Sequence, residues 1–448
     1  MSASNFYQSV LASGLVPAEP LATLANFLQQ RTAGTASTLD SILYDISALE
    51  PISLERLQRL PRVRKAFKHE SAQSKDATLN PADAALDASE TNHSEMNHED
   101  RTPEETQLAD ELIRQGFLNR WQAEQLLEGR TKFSLGGYRI FDAIGQGGYG
   151  YVFLGRKPAE HQYVAVKVLP ITKATPELSR RFMHEIELQK NLWHPNLVRY
   201  IESGEDGNVN YMVHEFMDGG DLRSLLKQES ILSLDTATTI IAQIARAVQY
   251  LHENGIVHRD IKPANIMLSS GGAAKLIDLG LAIPNNAQLL AMNQNDGEES
   301  SIDNRQLDSS IIASGRVAGT VDYMAPDQLR APKHPVPSWD IYSLGCTLYL
   351  MLTGTVPFPS GTTREKFRAK LQLEPKDARI YNQAIPFDVA DLLRSILSPQ
   401  CNGRVTSARV VAECLDAWTP PEGLARGLEF FQRIPLIYFA NPAVCRQV

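Results

Sequence analysis

The sequence predicts an α+β protein, with β-rich runs followed by segments of helical spacing. Tyr138-Arg139-Ile140-Phe141 and Tyr151-Val152-Phe153-Leu154 are rich in β formers and flank a glycine-rich stretch, so a loop joins two strands. Tyr163-Val164-Ala165-Val166-Lys167-Val168 reads as a third strand, with a lysine set in an apolar run. Phe182, Ile186 and Trp193 share one face at helical spacing, which lets a helix pack on that sheet. Further on, Leu344 to Leu352 reads as a mostly buried helix.

The chemistry is written most densely in Val257-His258-Arg259-Asp260-Ile261-Lys262-Pro263-Ala264-Asn265. Asp260 can accept a proton from an attacking hydroxyl, Lys262 can hold a phosphoryl group in transfer, and Asn265 can offer oxygen to a divalent cation. Its five fixed residues would recur by chance on the order of once per few million positions, so the pattern is specific. Upstream lies Gly145-Gln146-Gly147-Gly148-Tyr149-Gly150-Tyr151-Val152. Without Cβ atoms, such a loop can bring backbone N–H groups close to phosphate oxygens. Dinucleotide-binding folds show similar glycines between a strand and a helix. Here strands stand on both sides.

Together these residues resemble the eukaryotic-like (Hanks-type) bacterial serine/threonine protein kinases, from about Tyr138 to about Trp418. The resemblance implies a bilobal α+β fold: a small β-rich N-lobe with one helix and a large, mainly helical C-lobe, with a helical N-terminal extension. ATP with Mg²⁺ would bind between the lobes, with Mn²⁺ as an alternative metal. Ile144, Gly145, Gln146, Gly147, Gly148, Tyr149, Gly150, Tyr151 and Val152 match the loop over the nucleotide. Lys167 matches the strand lysine that contacts the α- and β-phosphates, and Glu185 its helix partner. Backbone groups of Glu215 and Met217 would bond adenine, with Val152, Ala165 and Met267 as an apolar sandwich. Asp221 falls where a ribose-contacting carboxylate is often found. Asp260 matches the catalytic base, with Lys262 beside it, and Asn265 and Asp278 match the metal ligands.

Departures from the family pattern are few. Leu279 stands for phenylalanine in the D-F-G motif, and Asp327 for glutamate in A-P-E, with Arg404 as its expected partner. His214 occupies the back-pocket gatekeeper position and reads as a buried neutral histidine bonded to a neighbour. Asp340 is expected to brace the catalytic-loop backbone. Lys262 and Thr320 fit a Ser/Thr kinase, and Ala264 gives no reason to expect an arginine just upstream of the target. The resemblance implies an autophosphorylating signalling kinase acting on protein Ser/Thr hydroxyls. The alternatives are a pseudokinase scaffold that only binds ATP and a small-molecule phosphotransferase on a related fold.

With 448 residues, 43% of them hydrophobic, the chain has room for two or three domains and a large core. Its net charge of −8 argues against nucleic acid or anionic membrane as main partner. Cys346, Cys401, Cys414 and Cys445 form no C-x-x-C pair, which fits a reducing cytoplasm and no metal site. The absence of a basic, apolar leader or a long apolar run is read as a protein with no membrane span. The expected layout is a helical segment over 1–67, a flexible acidic linker over 68–105, a helical segment over 106–136, the kinase domain over 137–418 and a tail over 419–448. Val10 to Val16 aligns with Leu112 to Leu118, each a helix with a glycine stop leading to a second helix. The second copy, which abuts the first kinase strand, either packs on the small lobe or binds a partner, and a protein partner of the N-terminal helical segments is expected as a possibility. Oligomeric state is left open. Residues 284–316 form a polar insertion in which a serine between Ser300 and Ser314, or the neighbourhood of Thr320, is the candidate phosphorylation site, with Arg259 and Arg181 as phosphate-binding partners.

Overall fold

The computed structural model describes residues 5–16, 18, 21–22, 25, 103–146, 150–160, 162–170, 174–279, 281–284, 321–330, 334–400 and 403–419. Among the described residues, three N-terminal helices come first: α1 (Asn5–Ser13), α2 (Pro103–Arg114) and α3 (Arg120–Leu127). Gly14 and Gly116, the two expected helix stops, have φ of 63° and 79°. This left-handed conformation costs glycine little and other residues more. Helix α2 starts at Pro103, inside the stretch expected to be linker. Proline suits the first helical position, and Glu105 complements the helix N-terminus. Glu105 also reaches back to the other segment, its Oε1 accepting from Phe6 N at 3.0 Å.

An antiparallel six-stranded sheet follows, in the order β1-β2-β3-β4-β6-β5. Its strands are β1 (Ser134–Leu135), β2 (Tyr138–Gln146), β3 (Tyr151–Arg156), β4 (Val164–Pro170), β5 (Tyr200–Asp206) and β6 (Val209–Glu215), with α4 (Pro176–Gln189) inserted after β4. The sheet thus begins at Ser134, before the expected boundary at 137. Side chains alternate across it. Leu169 and Met212 pack with Phe182 and Ile186 of α4. Phe153, Val166, Val168 and Val213 face the other way and share one core with Phe6, Val10, Leu112, Leu118, Trp121 and Leu126. The described N-terminal helices thus cover the outer face of the sheet. Trp121 sits 5.8 Å from both Phe133 and Phe153, centroid to centroid. Asn119 ties the unit together. It caps α3 through Gln122 N at 2.7 Å and donates from Nδ2 to the carbonyl of Phe141 in β2.

Trp193 corrects one expectation. Helix α4 ends at Gln189 with Lys190 as its C-cap, so Trp193 lies beyond it and is 71% exposed. Pro195 follows closely and disfavours helical backbone before it, which is why the periodicity was not continued.

The large lobe carries β7 (Gly220–Asp221), α5 (Leu222–Glu229), α6 (Leu234–Glu253), β8 (Ile256–Val257), β9 (Ile266–Leu268), β10 (Ala274–Leu276) and β11 (Ile283–Pro284). After the segment 285–320, which lies outside the described residues, come α7 (Pro326–Arg330), α8 (Ser338–Thr353), α9 (Thr363–Gln372), α10 (Phe387–Ile396) and α11 (Ala408–Asp416). Helices α6 and α8 form the centre. Helix α8 contains the buried run expected from Leu344 and is buried almost all round, including Trp339, Tyr342, Tyr349 and Cys346. Among the described residues no helix is long and apolar enough to cross a membrane, and no cluster of three or more His, Cys, Asp or Glu is arranged to hold a metal.

Candidate active site

The site assembles where the open end of the small-lobe sheet meets the loops after β8 and β10. Lys167 lies in β4 opposite Val152, so both point to the same face of the sheet, as does Ala165 two residues earlier. The Lys167 ammonium is 2.8 Å from each carboxylate oxygen of Glu185 and 3.3 Å from Asp278 Oδ1. Helix α4 can present Glu185 inward because Phe182 and Ile186 anchor it on the sheet. The Glu185 side chain is almost fully enclosed, and it also accepts from the backbone N–H of Leu279. Burial pushes its carboxyl up to about 7, against the pull of Lys167. Burial would lower Lys167, but Asp278 and Glu185 outweigh it and the net shift is upward, so the ammonium stays charged.

Across the cleft, Lys262 Nζ stands 2.8 and 2.7 Å from the two carboxylate oxygens of Asp260. Asn265 Nδ2 donates to the Asp260 carbonyl at 2.8 Å and to Asp260 Oδ2 at 2.9 Å. Burial raises the Asp260 carboxyl, with Lys262 opposing. The loop is held from below by Asp340. Its Oδ2 accepts from His258 N and its Oδ1 from Arg259 N, both at 2.8 Å, and His252 Nε2 contacts Oδ2 at 2.8 Å. Burial would raise Asp340, yet His252 and the loop hold it below the usual carboxylate range. That bracing holds Arg259 at a φ of 71°, unusual for a residue with a Cβ, and Asp278 across the site has a φ of 65°. The two halves are stitched by Ile277 N donating to the Asn265 carbonyl at 2.9 Å.

The remaining candidates fall as follows. Ile144 packs beside Leu154 and Tyr163. Gly145 and Gln146 end β2, Gly150 precedes β3, and Tyr151 and Val152 begin it. A Cβ on Gly150 would meet the Val168 carbonyl oxygen at 2.2 Å, so only glycine fits there. Gly147, Gly148 and Tyr149 lie outside the described residues, as does Thr320. Met217 is buried, and the Glu215 N–H is engaged by the Arg199 carbonyl at 3.0 Å while its carboxylate pairs with Lys275. Met267 in β9 pairs with Asp221 in β7. Asp221 has a structural duty: it caps α5, accepting from Ser224 N at 2.7 Å and Ser224 Oγ at 3.2 Å. Leu279 is buried, keeping an apolar side chain where the family has phenylalanine.

Arg404 meets Asp327 at 2.5 Å, so the shorter acid still reaches its expected partner. Arg259 and Arg181 are both buried, and Arg181 pairs with Glu177 one turn earlier. The serines from Ser300 to Ser314 lie outside the described residues. Residues the sequence reading missed include Gln189, which donates to Glu185 Oε1 at 3.1 Å, and His252 under Asp340. Gln189 was discoverable: it follows Glu185 by four, the spacing at which helix side chains meet.

The hard oxygens of Asp278 and Asn265 suit magnesium, a cation that usually takes one or two protein ligands and fills its shell with phosphate and water. Asp278 is a third exposed, and the Asn265 amide nitrogen is spent on Asp260, leaving its Oδ1 as the available ligand atom.

A protein kinase domain matches residues 138–415, and the chain belongs to the protein kinase family. The curled sheet and the helical lobe are that family's bilobal fold. The chain is 31% identical over 293 residues to the serine/threonine-protein kinase PknB of Mycobacterium tuberculosis, covering 64% of this chain and 44% of that protein. It is 32% identical over 259 residues to the serine/threonine-protein kinase PrkC of Bacillus subtilis, covering 58% and 37%. A probable serine/threonine-protein kinase of Clostridium perfringens is 30% identical over 279 residues, 61% of this chain and 37% of its own length. The chain thus spans less than half the length of these relatives.

Proposed function

We propose that this protein is a serine/threonine protein kinase that transfers the γ-phosphate of ATP to protein hydroxyls and phosphorylates itself. The observation that carries the reading is the convergence of two charge groups on one cleft: Lys167 with Glu185 and Asp278, and Asp260 with Lys262 and Asn265. Catalysis here is positioning and charge neutralisation. Lys167, held in place by Glu185, would orient the α- and β-phosphates. Val152, Ala165 and Met267 would enclose adenine, the backbone at Glu215 and Met217 would bond it, and Asp221 would face the ribose. Asp260 would take the proton of the attacking hydroxyl while Lys262 turned from Asp260 toward the phosphoryl group. Asp278 and Asn265 would hold Mg²⁺, which when bound supplies charge neutralisation between the phosphates. A complete set of these residues favours an enzyme over a scaffold.

Purified protein incubated with magnesium and ATP should acquire phosphoserine or phosphothreonine, read by mass spectrometry. Asp278→Ala should require more magnesium than wild type to reach half of its own maximal rate. Identical magnesium titrations would reject the metal-binding role. No phosphate transfer by wild-type protein to itself or to any general protein acceptor would reject the kinase.

A further inference from the structure

A chain of hydrogen bonds runs from the Lys167–Glu185 pair back into the small lobe. Gln189, one helical turn after Glu185, donates from Nε2 to Glu185 Oε1 at 3.1 Å. Gln189 Oε1 lies 2.5 Å from Nε2 of His214 in β6. Both side chains are buried, and the His214 ring stands edge-on to Tyr200 with centroids 6.4 Å apart. The direction of every proton follows from Glu185 in its ionised form, the form that holds Lys167. A carboxylate only accepts, so Gln189 must turn its NH₂ to Glu185 and its carbonyl oxygen to His214. His214 must then donate from Nε2. Burial, with the nearby Lys167 charge, pushes the imidazole down to about 3, so the ring is neutral and has a single N–H to give.

This arrangement answers a mechanical problem. Lys167 and Glu185 are both long side chains, and the Lys167 and Leu279 donors that meet the carboxylate both come from outside α4. A donor fixed on the same helix adds direction to the ion pair. An amide can swing as well, unless its own oxygen is held, and His214 holds it from a different element, the strand beside β4. We propose that Gln189 and His214 are positioning residues that fix the Glu185 carboxylate in the orientation that engages Lys167. This rests on the reading of Lys167 and Glu185 as phosphate-orienting machinery. Their role is restraint of Glu185, not contact with the reacting atoms. They act by restricting motion of the group that aligns the phosphates, an effect for which small misplacements can cost one or two powers of ten in rate.

The competing explanation is that the two merely satisfy one another as buried polar groups, and stability separates the two explanations. Gln189→Leu and His214→Leu each strand a polar partner and should lower Tm. The double variant Gln189→Leu/His214→Leu strands neither, so its Tm should return toward wild type. If positioning is the role, kcat at saturating ATP in the double variant stays about tenfold below wild type despite the recovered Tm. A recovered kcat would overturn the proposal. His214→Gln, which keeps a donor, should regain most of the turnover that His214→Leu loses, and equal loss in both would also overturn it. The same assay with Lys167→Ala keeps the layers apart: if that variant loses nothing, the underlying reading of the ion pair fails, whereas a large loss there with an unaffected double variant rejects only the role of Gln189 and His214.

Discussion

Lys167 Nζ contacts both carboxylate oxygens of Glu185 at 2.8 Å across a gap of 18 residues, joining strand β4 to helix α4. Because burial raises the Glu185 carboxyl to about 7, the pair should be pH-sensitive. Between its unfolded value and about 7 the folded state binds the extra proton. Stability from this group is therefore present at low pH and lost as pH rises toward 8. Activity should run the other way, since only the ionised carboxylate holds the ammonium strongly. Turnover is expected to rise from pH 6 to pH 8 and to be about tenfold or more lower in Glu185→Gln at pH 8. Steady-state rates across that range check both, and a Glu185→Gln profile superimposable on wild type would contradict them.

Asp142 makes a cleaner stability test because it lies away from the cleft. It is 6% exposed in β2, and burial pushes its carboxyl up to about 7. Its one fixed bond is accepted from Ala143 N at 2.8 Å, which asparagine can also accept. A raised acid stabilises below its unfolded value and costs stability as pH climbs through its folded value. Asp142→Asn should be more stable than wild type at pH 8, by on the order of 1–3 kcal/mol, with the difference vanishing near pH 4. Denaturant melts at the two pH values give the comparison.

Trp121 connects the N-terminal helices to the sheet. Trp121→Ala removes an indole packed on Phe133 and Phe153 and should cost about 3–5 kcal/mol. A loss below about 1 kcal/mol in chemical unfolding would mean that the helices do not stabilise the small lobe. Deleting residues 1–130 should expose the Phe153 and Val166 face and lower solubility.

The Arg404–Asp327 pair should tolerate a longer acid better than a neutral one. The Arg404 side chain is fully enclosed, so Asp327→Asn leaves a buried cation poorly matched and should cost about 3 kcal/mol. Asp327→Glu should cost less. Thermal melts that rank the two in the opposite order would refute this.

Much of this was legible in sequence because short motifs encode short-range geometry. Asp260, Lys262 and Asn265 sit within one loop, so their offsets alone specify mutual contact. Lys167, Glu185 and Asp278 are far apart in the chain, and only resemblance to a family brought them together. Periodicity overran at Trp193, where a proline two residues on ends the pattern. The packing of α1, α2 and α3 on the sheet was left open because an apolar helix face does not name its partner. The His214–Gln189 contact joins a strand to a helix at a separation of 25 residues, which no local spacing reports.

In the proposed function Asp260 performs or orients the proton transfer while the nucleotide is held elsewhere. Asp260→Asn should retain ATP affinity within about twofold and lose about 10²–10⁴ in phosphoryl transfer. The measurement is a paired one on the same purified protein: ATP binding by calorimetry and phosphate incorporation by mass spectrometry. Binding intact with transfer abolished is the predicted result. Transfer within a few-fold of wild type would contradict the account.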